Sequence, residues 1–416
     1  MRKLVPFVLL FFHMGAFAQE QLTLEDCYQL VDTNYPLSKQ NALLEKQNAL
    51  DLEVIGTETL PQIDFLAQAT YQSDVIEIPI PNAGIEPLNK DQYRATVSVN
   101  QLLYGGGMIN ASLSAKSATL KTRLKQVEVN LYQLKKQINT LYFSVLLQQE
   151  KNVLLIAKRE QLQAKFKEVK SGIKNGFLLP TSDKILEAEL LKIDQLFIEL
   201  NQNKITLVKT LSSLIGTPIA TTIHFQDPTL SSELNSVVNR PELELFQFKK
   251  EEVETAEQLL LKQNSPKLMG FANGGYGNPG LNMLDNSFQA FYTIGVKLNW
   301  SVFDWNANKK KRESLSINKD MIDTETELFQ LNTNIELNQQ QSEIEKLEQF
   351  IVSDIEIIQL RKEVLKSTAS QLQNGIITSS TYIIELTNLY EAENSLSTHK
   401  IQLLLARANY NTTKGQ

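Results

Sequence analysis

Apolar residues at Leu120, Leu124, Val127, Leu131, Leu134, Ile138, Leu141 and Val145 stand alternately four and three apart. Such an unbroken a/d seam marks a helix packed knobs-into-holes. It predicts one helix from about Gly107 to about Lys174, roughly 100 Å long at about 1.5 Å per residue. Asn175-Gly176 ends it in a turn, and Pro180 suits the start of the next helix. There the seam resumes at Leu186, Leu190, Ile193, Phe197, Leu200, Leu207, Leu211 and Leu214, with Lys204 as the exception, until Gly216-Thr217-Pro218 stops it. Farther on, Leu337, Ile344, Ile351, Ile358, Leu365 and Leu372 stand seven apart. Asn374-Gly375 then turns the chain into a return helix from about Thr381 to Asn411. An earlier helical stretch, Leu22 to about Thr59, is broken at Pro36. Heptads by themselves mean a coiled coil and nothing more. Helices of about seventy residues, where about a dozen is average, point to the walls of something long.

Four other segments alternate with period two: Pro61 to about Ser73, about Gln92 to Tyr104, Lys267 to Tyr276, and about Phe288 to Phe303. In the second, Tyr93, Ala95, Val97 and Val99 interleave with Arg94, Thr96, Ser98 and Asn100. In the fourth, Ile294, Val296, Leu298 and Trp300 interleave with Thr293, Gly295, Lys297 and Asn299. Each segment is long enough to cross a bilayer at the usual tilt. A sheet over an ordinary hydrophobic core alternates in the same way, so the strands alone leave both readings open. Tyr104, Trp300 and Phe303, near strand ends, suit an interfacial aromatic belt. The stretches Asp74 to Asp91 and Gly277 to Ser287 are the predicted outer loops. Gly105-Gly106-Gly107 and Asp304-Trp305-Asn306 are the predicted strand-to-helix junctions.

The plan occurs twice. Val97-Ser-Val-Asn-Gln-Leu-Leu-Tyr104 aligns with Val296-Lys-Leu-Asn-Trp-Ser-Val-Phe303 at an offset of 199, which also carries Asn175-Gly176 onto Asn374-Gly375. A fixed offset shared by two kinds of landmark indicates a duplicated unit of strand, long helix, turn and long helix. The repeats run from about 19 to 218 and 240 to 411, joined by a linker near 219–239, with the strand pairs at about 61–104 and 266–303.

Composition narrows the setting. Arg2 and Lys3, the apolar run Leu4 to Phe12, and Ala16-Phe17-Ala18 read as a secretory signal over residues 1–18, with the mature chain starting at Gln19. Without Arg2 and Lys3 the chain keeps 39 basic against 47 acidic residues, a net charge of about −8. That balance argues against a nucleic-acid partner. Beyond the signal no run of apolar residues is long enough for a transmembrane helix. A single cysteine, Cys27, excludes an intrachain disulfide. An exported chain of this kind is either soluble or enters a membrane as β-strands. Export, four strands and nothing to cover their edges favour the membrane, with several chains closing one barrel.

Catalytic chemistry is not visible. The mature chain has two histidines, His224 and His399, far apart and read as surface residues. No nucleophile motif, metal-ligand spacing or cofactor motif accompanies them. An enzyme is therefore the weakest reading. A coiled-coil scaffold secreted or held in the periplasm, without a pore, is the alternative to a membrane duct.

At this point the chain resembles the TolC-like outer-membrane efflux proteins, with motifs in order along the mature sequence. These are Leu22-Thr-Leu-Glu-Asp-Cys-Tyr-Gln-Leu, Asn34-Tyr-Pro36, Leu60-Pro61-Gln-Ile, Leu214-Ile-Gly-Thr-Pro218, Asn239-Arg-Pro-Glu-Leu243, Ser265-Pro266-Lys-Leu and Val296-Lys-Leu-Asn-Trp-Ser-Val-Phe-Asp304. The resemblance implies an α+β membrane protein. Four strands per chain would join a homotrimeric, twelve-stranded outer-membrane β-barrel, and antiparallel helical hairpins would form a periplasmic α-barrel. It implies a passive exit duct for efflux or type I secretion, set in outer-membrane lipid, with a periplasmic adaptor and an inner-membrane pump as partners. The two turns would be the adaptor-docking tips: Asn175, Gly176, Phe177 and Leu178, with Asn374, Gly375, Ile376 and Ile377. Where the best-known members ring a closed aperture with aspartates, six and nine residues after the second turn glycine, this chain has Thr381 and Ile384. Glu385 stands beside them and Asp183 near the equivalent place in the first hairpin, and Asp183, Thr381 and Glu385 are the aperture candidates.

Overall fold

The computed structural model of the chain describes residues 21–76, 86–229 and 237–416. The signal read at Arg2 to Ala18 lies outside them, as do parts of the first outer loop and of the mid-chain linker. In chain order the elements are β1 (Gln21–Leu22), α1 (Leu24–Asn34), a 3-10 turn (Pro36–Ser38), α2 (Lys39–Thr57), β2 (Gln62–Tyr71), β3 (Asp91–Tyr104), α3 (Met108–Tyr132), α4 (Lys135–Lys174), α5 (Ser182–Ile215), β4 (His224–Phe225), α6 (Pro241–Gln263), β5 (Lys267–Asn278), β6 (Gln289–Asn299), α7 (Ala307–Gln373) and α8 (Ser379–Lys414). They group into two compact units. One, the helical unit, takes the chain up to Ser38, Asn130–Arg240 and Leu331–Gln416; the other, the sheet unit, takes Lys39–Val129 and Pro241–Gln330.

In the helical unit the heptads do what their spacing predicts. Leu155, Leu162 and Val169 of α4 pack with Leu186 and Ile193 of α5, with Ile358, Leu365 and Leu372 of α7, and with Tyr382, Leu386 and Leu389 of α8. Each such side chain contributes about 1.5–3 kcal/mol when fully buried. Nearer the N-terminus, Thr23 and Asp26 form a capping box that starts α1. The short strands β1 and β4 pair in parallel, Leu22 opposite Phe225. Tyr142 on α4 lies between them, its hydroxyl 2.8 Å from Leu22 O and 2.7 Å from Gln226 O. Gln149 also grips Phe225, donating to its carbonyl and accepting from its N–H.

Three expectations are corrected here. The single helix from Gly107 to Lys174 is two, because Leu134 N–H donates to Leu131 O at 3.0 Å and tightens the turn between α3 and α4. At this point Tyr132 donates to Thr412 O (2.8 Å), and the buried Asn139 donates to Asn409 Oδ1 (2.9 Å) and Thr412 Oγ1 (3.2 Å). These contacts to the end of α8 are tertiary, and a heptad count carries no sign of them. His224 is exposed as expected, but His399 is half-buried: its Nδ1 lies 2.6 Å from Asp354 Oδ2 and its ring packs on Phe350. The fourth strand ends at Asn299, so Trp300 and Phe303 lie just beyond it.

In the sheet unit the four long strands form one antiparallel sheet in the order β2-β3-β5-β6. Both β2 and β6 keep an unpaired edge among the described residues. The register places Phe65 opposite Val97, Val97 opposite Gly274, and Gly274 opposite Tyr292. Because side chains alternate, every second position of all four strands shares one face. After β3, Gly106 and Gly107 take φ of 61° and 82° to swing the chain into α3. Trp305 and Asn306, one offset of 199 later, take 54° and 62° before α7. The duplicated plan therefore extends to a left-handed junction that glycine occupies in one copy only.

Candidate functional site

Two surfaces collect the residues singled out above. The first is the pair of hairpin turns in the helical unit. At the end of α4, Gly176 (φ 76°) donates its N–H to Ile173 O and Phe177 donates to Gly172 O. At the end of α7, Gly375 (φ 68°) donates to Leu372 O and Ile376 to Gln371 O. Both are Schellman caps, which need a residue tolerant of the left-handed region at that point. Asn175 and Asn374 precede the glycines as the last helical caps. The fold brings the two turns together, since a Cβ built on Gly375 would sit 3.4 Å from Phe177 O. Leu178 folds back over Gly172, and Leu178 and Ile377 pack against the hairpin core. Phe177 and Ile376 instead remain 75% and 71% exposed, an apolar tip with nothing among the described residues to cover it.

The aperture candidates occupy separate local roles. Thr381 donates its N–H to Thr378 Oγ1 and closes the N-cap of α8. Glu385 accepts from Arg361 at 3.4 Å and from Asn388 at 3.2 Å, tying α8 to α7. Asp183 lies in the first turn of α5, where a carboxylate suits the helix dipole. Ile384 is exposed.

The second surface is the sheet. One face carries Ile63, Phe65, Ala67, Ala69, Tyr93, Val97, Val99, Tyr292, Ile294, Val296 and Leu298, aligned by register. Ile63, Phe65, Tyr292, Ile294 and Val296 are each about 70% exposed or more. The opposite face is mostly polar, with Gln68, Arg94, Thr96, Ser98, Asn273 and Thr293 lining a concavity together with Leu66, Leu281 and Phe291. A sheet that bares its greasy face and cups its polar one is the reverse of a soluble sheet over a core.

Aromatic residues mark both ends of the apolar face. Tyr104 reaches it through a β-bulge. Leu102 pairs with Met269 but Tyr104 with Leu268, so Leu103 is the extra residue and Tyr104 changes face. Trp300, Phe303 and Trp305 follow β6 at the same end, with Phe303 and Trp305 edge to face at 4.8 Å. The opposite end holds a set the sequence reading missed. Phe288 stacks on Tyr93 (6.3 Å) and on Tyr276 (5.7 Å), with Tyr71 near them at the end of β2. These four residues, from one loop and three strands, can be seen as one cluster only once the register is known. Tyr93 and Tyr104 are about 36 Å apart along β3 at about 3.3 Å per residue, hence about 26 Å in height at the usual tilt of about 45°. An outer-membrane apolar band is about 25 Å tall.

Among the described residues no helix is long and apolar enough to cross a membrane, and no cluster of side chains is suited to hold a metal ion. No protein-family model matches the chain, and no curated protein matches it. Solved structures do. The chain is similar to the outer membrane protein VceC from Vibrio cholerae, with a TM-score of 0.67 and 14% identity over 94% of this chain and 96% of that one. It is similar to the outer-membrane channel OprN, with a TM-score of 0.67 and 13% identity over 94% and 89%. It is also similar to the CmeC outer membrane channel of Campylobacter jejuni, with a TM-score of 0.65 and 14% identity over 94% and 85%. At such identities the likeness is one of fold. The chain has the α+β fold of these channels.

Proposed function

We propose that this chain is the protomer of an outer-membrane channel that serves as the passive exit duct of an efflux system. The sheet carries this reading: among the described residues its apolar face is bare, its polar face is concave, and both of its edges lack a partner strand. Lipid would cover the first face, water the second, and copies of the chain the edges. Two copies would give eight strands, whose interior side chains fill. Three give twelve, with room for a water-filled lumen. The helical unit supports association too, because Leu191 and Ile198, seven apart on α5, are 62% and 72% exposed and present a seam to a neighbouring chain.

The long helices of three copies would wall a tunnel into the periplasm, and the paired turns at Gly176 and Gly375 would be its tip. Phe177 and Ile376 there suit the apolar contacts of a periplasmic adaptor, through which an inner-membrane pump delivers cargo. Opening is a splaying of the hairpins, a hinge-type transition biased by the partner. Channels of this fold, the open-state MtrE channel of Neisseria gonorrhoeae among them, lend support to the reading. A periplasmic scaffold without a pore fits less well, since it leaves the bare sheet face unexplained. Fractionation tests the choice: the protein should sediment with outer membranes and need detergent for release. Release by an alkaline carbonate wash would overturn the proposal.

A further inference from the structure

Resting on the pore reading above, we infer that the water side of the sheet favours anions and that Lys267 and Lys297 set this preference. Parity along the strands places four charged residues on the polar face: Asp64, Arg94, Lys267 and Lys297. Three are cationic and one is a carboxylate. Lys267 lies opposite Asn299 and Lys297 opposite Met269, so the two lysines are diagonal neighbours at the helix end of β5 and β6. Diagonal pairs stand about 7–8 Å apart. Neither lysine side chain forms an ion pair or hydrogen bond among the described residues. Two ammonium groups at that spacing with no carboxylate between them attract an anion in place of a side-chain partner.

One carboxylate, Asp304, lies at the same end, where Asn264 Nδ2 (2.7 Å) and the Asn308 N–H (2.9 Å) donate to it; the acidic groups of the sheet and its loops lie farther off. Asp64 is on β2, two strand spacings from β5 and three from β6, and level with Asn273, six residues or about 20 Å along β5 from Lys267, beyond a Debye length of about 8 Å. Asp74, Asp91 and Asp285 lie at the loop end, about 30 Å along the strands at about 3.3 Å per residue. Closing the sheet on a neighbour's β2 brings in one Asp64 per chain and still leaves cations in excess. Arg94 adds its charge farther up the face, fixed by donation to Pro279 O and Gly280 O (3.3 Å each) with its guanidinium over the Phe291 ring. Phe291 and Phe271 lie over Gly275 and Gly295, so the space between the charges is lined by flat rings and uncharged polar groups. Walls of low dielectric focus the field of such a collar into the lumen. The cargo class it favours in the barrel is anionic.

The test is the reversal potential of the full-length protein in a planar lipid bilayer under a potassium chloride gradient. Chloride should be more permeant than potassium, and the Lys267→Glu/Lys297→Glu pair should lower the chloride-to-potassium ratio several-fold. The Lys267→Gln/Lys297→Gln pair, which perturbs folding less, should shift it in the same direction by a smaller amount. A cation-selective wild type, or a ratio unchanged in both variants, would overturn the inference and leave the pore reading standing. Protein that inserts but conducts nothing would instead sink the pore reading, and the inference with it.

Discussion

At Gly176 and Gly375 the chain takes φ of 76° and 68°, a region that costs other residues about 1–2 kcal/mol. Valine at either position would strain the Schellman cap, and at Gly375 it would also press on Phe177 O. The Gly176→Val and Gly375→Val variants should leave oligomers in the membrane while impairing export of the cognate cargo; undiminished export by both would remove the turns from adaptor docking. Cys27 makes a second residue-scale case. Burial first, and Asp26 beside it second, push its thiol from 9.0 to about 12. A pKa raised in the folded state means stability that is intact below about 9 and declines as pH rises toward about 12, because the unfolded thiol ionises first. At pH 8 the folded protein should resist alkylation that goes to completion in denaturant. The turn glycines were legible because Asn-Gly after a long heptad run has few other meanings. The face of Tyr104 was not, because a bulge at Leu103 reverses the parity on which strand reading depends.

Among the elements, helices were read best where a seam was long and its partners local. Leu186 and Ile193 of α5 and Ile358, Leu365 and Leu372 of α7 find the packing their spacing implies. The break between α3 and α4 escaped notice because it coincides with hydrogen bonds from Tyr132 and Asn139 to residues near the end of α8, far along the chain. The β1–β4 pair was equally hidden: two residues per strand carry no periodicity. Its anchor gives an element-scale prediction. Tyr142→Phe leaves Leu22 O and Gln226 O without that hydroxyl and should destabilise the helical unit by about 1–3 kcal/mol. A melting temperature equal to wild type would show that the clasp contributes nothing. The strands were located to within a few residues. That Trp300 falls beyond β6 follows from Asn299 being the last residue paired with β5, opposite Lys267.

For the molecule as a whole, alternation along the strands admitted either a soluble sheet or a barrel. What separates them is which face is bare and whether the edges are paired, and neither can be read from one strand at a time. The shared register of β2, β3, β5 and β6 supplies both facts for the described residues, and the proposed closure by several copies rests on them. Thr381 and Glu385 serve an N-cap and an ion pair within one chain, and the proposed aperture role of Asp183, Thr381 and Glu385 belongs to an assembly, which the sequence of one chain does not carry. Electron microscopy of the mature protein extracted in detergent tests the central claim most directly. The account predicts a threefold particle with a short β-barrel and a helical barrel on the order of 100 Å long, set by helices of α7's length at about 1.5 Å per residue. A monomer, or a rod that stays dispersed without detergent, would contradict it.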